Sequence, residues 1–578
     1  CGLIPGTDQP ISGHHFAGTG IASTKDRPVI IPDSPSGSAT TFPNAAAEYQ
    51  ISDLTIGATA SSAAKLTLSG TTTDNIAVSG TLTNKGTIVY SGAARIKKGG
   101  AFHNDATQGT VEFTSDSGAT DLASVDYYNL TISGTGAFES NGDLTVNNDL
   151  KVLAGTAKFN NSAGDDTTTA ATAAFSTGTK ISLGNNKDDN FTVGGALNLP
   201  SDLADLSLAG TITAGGTGIS LGHDAALNDD TTFVSPTKTT GAVTLTGAHD
   251  VTTNDLDTNA GVLTLENANL INTGTVTDGK IIFIGTGAQT FTPCASPYAS
   301  VEVNKTSGGV TVDQALTATD FTVTKNGTLT TSDGATLTTA NLTITNNTTA
   351  TFNELVTVST EYRDAATAGD ITFAKGCAFT PATTFNTTGT VTLNGSATAC
   401  NFAGGLEHIT GSTSISGNIT ASDSAITFAA TTLADNTTIN AGSGAVTING
   451  TLNGAKAFTS NGTGTVTFAG AVGATAAPTT ITVTGPTIIS APSVKTSGLQ
   501  NYKDNLTFDA TTCAVTGKVK ADAELIVNTS KAATLNGATT VAGDITNNGT
   551  LSATANLTFA SNFNGGSGTF SSTATVTA

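Results

Sequence analysis

From about residue 46 to residue 578, short runs of alternating apolar and polar residues follow one another, broken every few positions by Gly, Asn or Asp. Ala64-Lys-Leu-Thr-Leu-Ser-Gly70, Asn129-Leu-Thr-Ile-Ser-Gly134, Asp143-Leu-Thr-Val-Asn147, Asp320-Phe-Thr-Val-Thr324 and Asn341-Leu-Thr-Ile-Thr345 are examples. Apolar-Thr-apolar alternation is the period of a half-buried β-strand. Thr suits the outer face because it is both β-branched and polar. Gly and Asn at the breaks supply the positive φ that tight turns need. Ala-rich spots such as Ala170-Ala-Thr-Ala-Ala174 are too short and too rich in Thr to sustain a helix. The pattern predicts an all-β protein.

A larger unit recurs as well. Gly109-Thr-Val-Glu-Phe113 is followed by Tyr127-Tyr-Asn-Leu130, and Gly279-Lys-Ile-Ile-Phe283 by Tyr298-Ala-Ser-Val301. Gly389-Thr-Val-Thr-Leu393 and Gly464-Thr-Val-Thr-Phe468 open further copies at unequal spacing. Two architectures accommodate this: an elongated parallel β-solenoid (β-helix), or tandem β-sandwich domains. Sandwiches are usually anchored by a large aromatic centre and separated by linkers. This chain has no Trp, and proline is sparse after Pro43. The solenoid is therefore the expected fold. At ~22 residues per coil the repetitive body, 46–578, would form ~24 coils, about 115 Å at the spacing of stacked strands.

Residues 1–45 follow a different pattern. Pro5, Pro10, Pro28, Pro32, Pro35 and Pro43 are six of the 14 prolines in the chain. Proline lacks a backbone donor and resists a central strand. This segment is expected to be an extended arm, for docking or for tethering, outside the repeated sheet.

Composition narrows the core and the partners. Charged residues make up 12% and hydrophobic residues 37% of the chain, with 7 Tyr and no Met. Such a chain builds a thin core of small branched side chains. The net charge of −21 repels nucleic acid and anionic lipid. No apolar run approaches the ~18 residues that mark a membrane-spanning helix. Cys1, Cys294, Cys377, Cys400 and Cys513 form no Cys-x-x-Cys pair, which argues against a zinc ribbon or redox motif. Cys377 and Cys400 are separated by about one coil, a spacing that would suit a disulfide between adjacent rungs; buried free thiols are the alternative.

The acidic pairs Asp165-Asp166, Asp188-Asp189 and Asp229-Asp230 read as solvated loop charge, since no calcium-binding loop motif surrounds them. His14, His15, His103, His223, His249 and His408 accompany no nucleophile motif, so neither a metal nor a catalytic role is assigned, and no cofactor is expected. Asn-x-Thr triplets at Asn129, Asn190, Asn304, Asn326, Asn341, Asn505 and Asn556 are what a chain rich in Asn and Thr produces without selection for glycosylation.

The runs of the Asn-Leu-Thr-Ile-Ser-Gly type resemble the repetitive regions of bacterial surface β-solenoids, the adhesins and filamentous haemagglutinin-like proteins. Cys1-Gly2 resembles the processed end of a bacterial lipoprotein. That likeness implies a diacylated Cys1 with the Pro-rich arm as tether; an intersubunit disulfide at Cys1 is the alternative. The resemblances imply an extracellular or cell-surface protein with a structural or adhesive role. The first expectation is the subunit of a filament, a homopolymer joined head to tail through residues 1–45 and the last strands, Phe570 to Ala578. A lipid-anchored adhesin on the cell envelope, binding surface glycans, is the second. A polysaccharide lyase or hydrolase is the enzymatic alternative. It would need paired carboxylates and aromatic sugar platforms, and the scattered Tyr residues and scarce Arg argue for a non-enzyme.

Overall fold

The structure is a computed structural model. It describes residues 29–31, 40–41, 49–59, 63–71, 75–116, 118–325, 328–345, 349–367 and 369–578. Within residues 1–45, expected to lie outside the repeated sheet, Val29–Ile31 pairs in parallel with Leu54–Ile56 and Thr40–Thr41 with Leu66 and Thr67, so these two segments belong to the ladder; Cys1, the six arm prolines, His14 and His15 lie outside the described residues. The chain falls into two compact units, Cys1–Ile281 and Ile282–Ala578.

Each unit is a parallel β-solenoid, and the chain makes about 25 turns in all. In the first unit, Thr87–Tyr90 pairs in parallel with Lys65–Leu68 on one side and Thr110–Phe113 on the other, and Thr110–Phe113 pairs with Asn129–Ile132. The hairpin joining Ile96–Lys98 to Ala101–Phe102 runs antiparallel. In the second unit, Ile426, Val446, Val466, Thr487, Leu506, Leu525 and Ile545 face one another in successive turns. Tandem sandwiches, built from antiparallel sheets, are excluded by these in-register parallel ladders. Ala170–Ala174, read as non-helical, lies within the strand Thr167–Phe175. No helix among the described residues is long and apolar enough to cross a membrane.

The period of two explains the core. Alternate residues of a strand point to opposite faces, so each in-register ladder stacks like on like. Leu66, Ile88, Val111, Leu130 and Leu150 form one inward column and are all buried. Outward columns are polar, as in Thr427, Thr447 and Thr467. Aromatic rings stack in the same way: Phe352 on Phe373 at 5.3 Å and Phe379 on Phe402 at 5.3 Å. A buried Leu, Ile, Val or Phe contributes about 1.5–3 kcal/mol relative to an exposed one. Several per turn, repeated over many turns, let a thin core without Trp hold the fold.

Corners need tight backbone. Gly109 has φ +77°, and a Cβ there would lie 2.2 Å from the carbonyl oxygen of Asn84 on the preceding turn. Only glycine satisfies both the left-handed conformation and that approach.

Candidate functional site

Charged side chains lie both on strands, as Lys65, Glu112 and Glu302 do, and at the corners, where one turn meets the next. A recurring arrangement joins them. An aspartate just before a strand accepts the main-chain N–H of a residue about one turn later. Asp255 takes the N–H of Thr275 at 2.9 Å and its hydroxyl at 2.7 Å. Asp423 takes the N–H of Ser443 at 2.8 Å, and Asp143 that of Thr167 at 2.8 Å. Within the strands, Asp320 accepts the side-chain amide of Asn341 at 2.7 Å. Corner N–H groups fall outside the sheet ladders and need an acceptor, and a carboxylate is a strong one. Much of the acidic excess is thus fixed on the backbone instead of standing free in solvent.

These bonds shift the carboxyls. The Thr275 hydroxyl and N–H hold Asp255 below the usual carboxylate range, and Ser561 with the Asn562 N–H does the same for Asp544. The Thr172 hydroxyl lowers Asp149. Burial acts in the opposite direction at Asp364 and raises it, although the N–H groups of Asn386 and Thr387 partly offset this. A depressed carboxyl adds stability that is present above its unfolded value of about 3.9 and is lost as pH falls through the folded value. Thermal melts should therefore show a midpoint that drops below about pH 4, with a smaller drop in Asp255→Asn. An acid dependence identical in the two proteins would remove Asp255 from the effect.

The acidic pairs follow the same logic. Asp189 is buried and accepts the N–H groups of Asp166, Asn185 and Asn186. The pair Asp229-Asp230 meets His249 one turn on, an association the sequence does not reveal. The Nδ1 atom of His249 lies 3.6 Å from Asp229 Oδ1 and 3.8 Å from Asp230 Oδ1. One ligand atom from each of the three residues falls within 4.8 Å of the others, a spacing that could admit a divalent cation. Three of the carboxylate oxygens already accept main-chain N–H groups, from Lys187, Asp230 and Asp250. All three residues are only half-buried. This corner is built as the others are.

The remaining titratable groups are turned inward. His408 is fully buried, with Nδ1 at 2.8 Å from the Thr413 hydroxyl and Nε2 at 3.2 Å from the Thr387 carbonyl. Lys305 is also fully buried. Its Nζ donates to the Ile284 carbonyl at 3.0 Å and to Gln289 Oε1. Burial pushes its ammonium down to about 8. The alternation Val301, Val303, Lys305 puts this lysine on the inward face, a signal present in the sequence. Tyr90, Tyr127, Tyr298, Tyr362 and Tyr502 are buried, so their rings pack in the core and offer no platform for a sugar.

Cys377 and Cys400 face each other across adjacent strands, both buried and both held as thiols. Cys294 and Cys513 are buried free thiols elsewhere. The Asn129 side chain bonds the Gly109 carbonyl at 3.0 Å and accepts from Asn148 at 2.8 Å, so this Asn-x-Thr triplet serves a corner.

The class that the fold defines is the parallel β-solenoid. Comparison with protein-family models, curated proteins and solved structures finds no match to this chain.

Proposed function

We propose that this protein is a structural subunit of an extracellular filament or fibre, with a mechanical rather than a catalytic role. The observation that supports this most directly is the ladder itself. Each turn joins the next through parallel, in-register main-chain bonds and stacked side chains of the same kind. A free strand edge in such a ladder accepts any strand of matching pattern, in the same polypeptide or in another copy. Phe563–Asn564, Thr569–Ser572 and Val576–Thr577 are each paired to the preceding turn, and Phe563, Phe570 and Val576 on their faces are half-buried or exposed. A head-to-tail contact that does not close generates a filament, and the Pro-rich segment 1–45, of which Val29–Ile31 and Thr40–Thr41 already pair with later strands of the same chain, is the second half of the proposed joint. The partner is another copy of this chain at the cell surface.

Negative-stain electron microscopy of the purified full chain tests the reading. Long unbranched fibres are expected, and they should be lost when residues 1–45 are deleted from an otherwise folded protein. Single particles at every concentration would overturn the filament. A diacyl mass on Cys1 would then favour the lipid-anchored adhesin. Fibres that survive the deletion would take the arm out of the joint.

A further inference from the structure

Cys377–Phe379 lies in parallel register on the strand Thr390–Phe402, with Cys377 opposite Cys400, Ala378 opposite Asn401 and Phe379 opposite Phe402. The two cysteines occupy one inward column whose other members nearby are aliphatic: Leu337 and Val356 on one side, Ile419 and Ile439 on the other. Both are fully buried. Two residues along, on the same face, the stacked rings of Phe379 and Phe402 pin the register. A slip would turn every side chain of the strand to the wrong face, so the two sulfurs are held opposite each other.

We propose that Cys377 and Cys400 form a disulfide that clamps one solenoid turn to the next when the chain folds under oxidising conditions. Adjacent strands lie about 4.8 Å apart, inside the Cα separation of 4.4–6.8 Å that disulfides span. The Cβ atoms, spaced like the strands, must draw together by about 1 Å to reach the usual disulfide separation. Cys513, by contrast, faces Ala533, and Cys294 packs against the Tyr298 hydroxyl. Neither is placed opposite another cysteine by the ladder.

The oxidant is a small-molecule disulfide such as oxidised glutathione. The thiolate of one cysteine attacks it, the small S–S bond breaks, and one small thiol leaves. The thiolate of the other cysteine then attacks the mixed disulfide, and the second small thiol leaves. Two protein thiols lose two protons and two electrons in all, and the small disulfide is reduced to two thiols. Burial holds the Cys377 thiol well above the ordinary range, which makes the closed turn slow to react. Exchange therefore takes place while the turn is still forming, and burial afterwards shields the bond from reductants. Such a bond persists in extracellular compartments and is rare in the cytosol, so its presence in protein isolated from the source would also report the compartment.

The test is peptide mapping of the full chain synthesised in a cell-free system that contains oxidised and reduced glutathione. Remaining thiols are alkylated in denaturant before digestion and mass spectrometry. The expected result is a linked pair of peptides carrying Cys377 and Cys400, lighter by two hydrogens than the sum of the reduced peptides and released by reductant. The oxidised protein should melt several degrees above the reduced protein, and that difference should vanish in Cys377→Ala and in Cys400→Ala. Full alkylation of both cysteines in folded protein made under these conditions overturns the proposal, as does linkage of Cys377 to a different cysteine. The map uses the wild-type chain, so it decides the matter even if a variant fails to fold.

Discussion

Phe402→Ala is expected to cost about 3–5 kcal/mol and to loosen only the turns around it. Phe402 is fully buried, stacks on Phe379 with an interplanar angle of 21°, and meets Phe385 edge-on at 6.2 Å. Phe385 in turn contacts Tyr362 at 4.9 Å and His408 at 6.0 Å. Removing the ring leaves a cavity between two turns whose backbones are tied by main-chain bonds, so little collapse can fill it. In a stacked architecture each turn touches its neighbours and no others. Hydrogen exchange should therefore accelerate in the strands Cys377–Phe379, Thr390–Phe402 and Leu406–Thr420, and remain unchanged in Leu525–Val527 and Thr550–Ala553. Uniform acceleration across residues 282–578 would mean that this unit opens as one cooperative block, contrary to the nearest-neighbour account.

The second large effect concerns Lys305. Its folded value of about 8 lies below the unfolded lysine value of about 10.4. Between these two values the unfolded chain binds a proton that the folded chain has shed, so stability rises with pH across the window from about 8 to 10.4. Below pH 8 both states are protonated, and the cost of burying the ammonium is constant, on the order of 3 kcal/mol from the size of the shift. Lys305→Met removes that cost together with the charge-assisted hydrogen bonds to Ile284 and Gln289, which are worth about 1.5–3 kcal/mol each and so offset it. The variant should be equal to or less stable than the wild type at pH 7. Relative to the wild type it should lose a further 2–3 kcal/mol, roughly, by pH 10. Urea denaturation of both proteins at the two pH values checks this. The buried tyrosines, whose hydroxyls burial raises, are common to both proteins and cancel in the difference. A difference independent of pH would show that the amine carries no burial cost.

Much of the fold could be read from individual runs. Asn341-Leu-Thr-Ile and Asp320-Phe-Thr-Val state which residues face inward, and the structure buries Leu342, Ile344, Phe321 and Val323 as that alternation requires. The same parity placed Lys305 inside beside Val301 and Val303. The corner aspartates were visible as residues preceding strands, but not as acceptors, because their N–H partners lie about a turn away along the chain.

The strands, their period of two and the stacked architecture were legible in the order of residues alone. These follow from the alternation of side chains within a few residues. Which residues face which across turns was not legible there. Turn lengths vary: Leu506 faces Leu525 nineteen residues on, whereas Cys377 faces Cys400 twenty-three residues on. Each corner can absorb several residues without disturbing the ladder. Register is therefore set by how the turns stack, and the meeting of Asp229, Asp230 and His249, like that of the two thiols, comes from the stacking and from no local pattern.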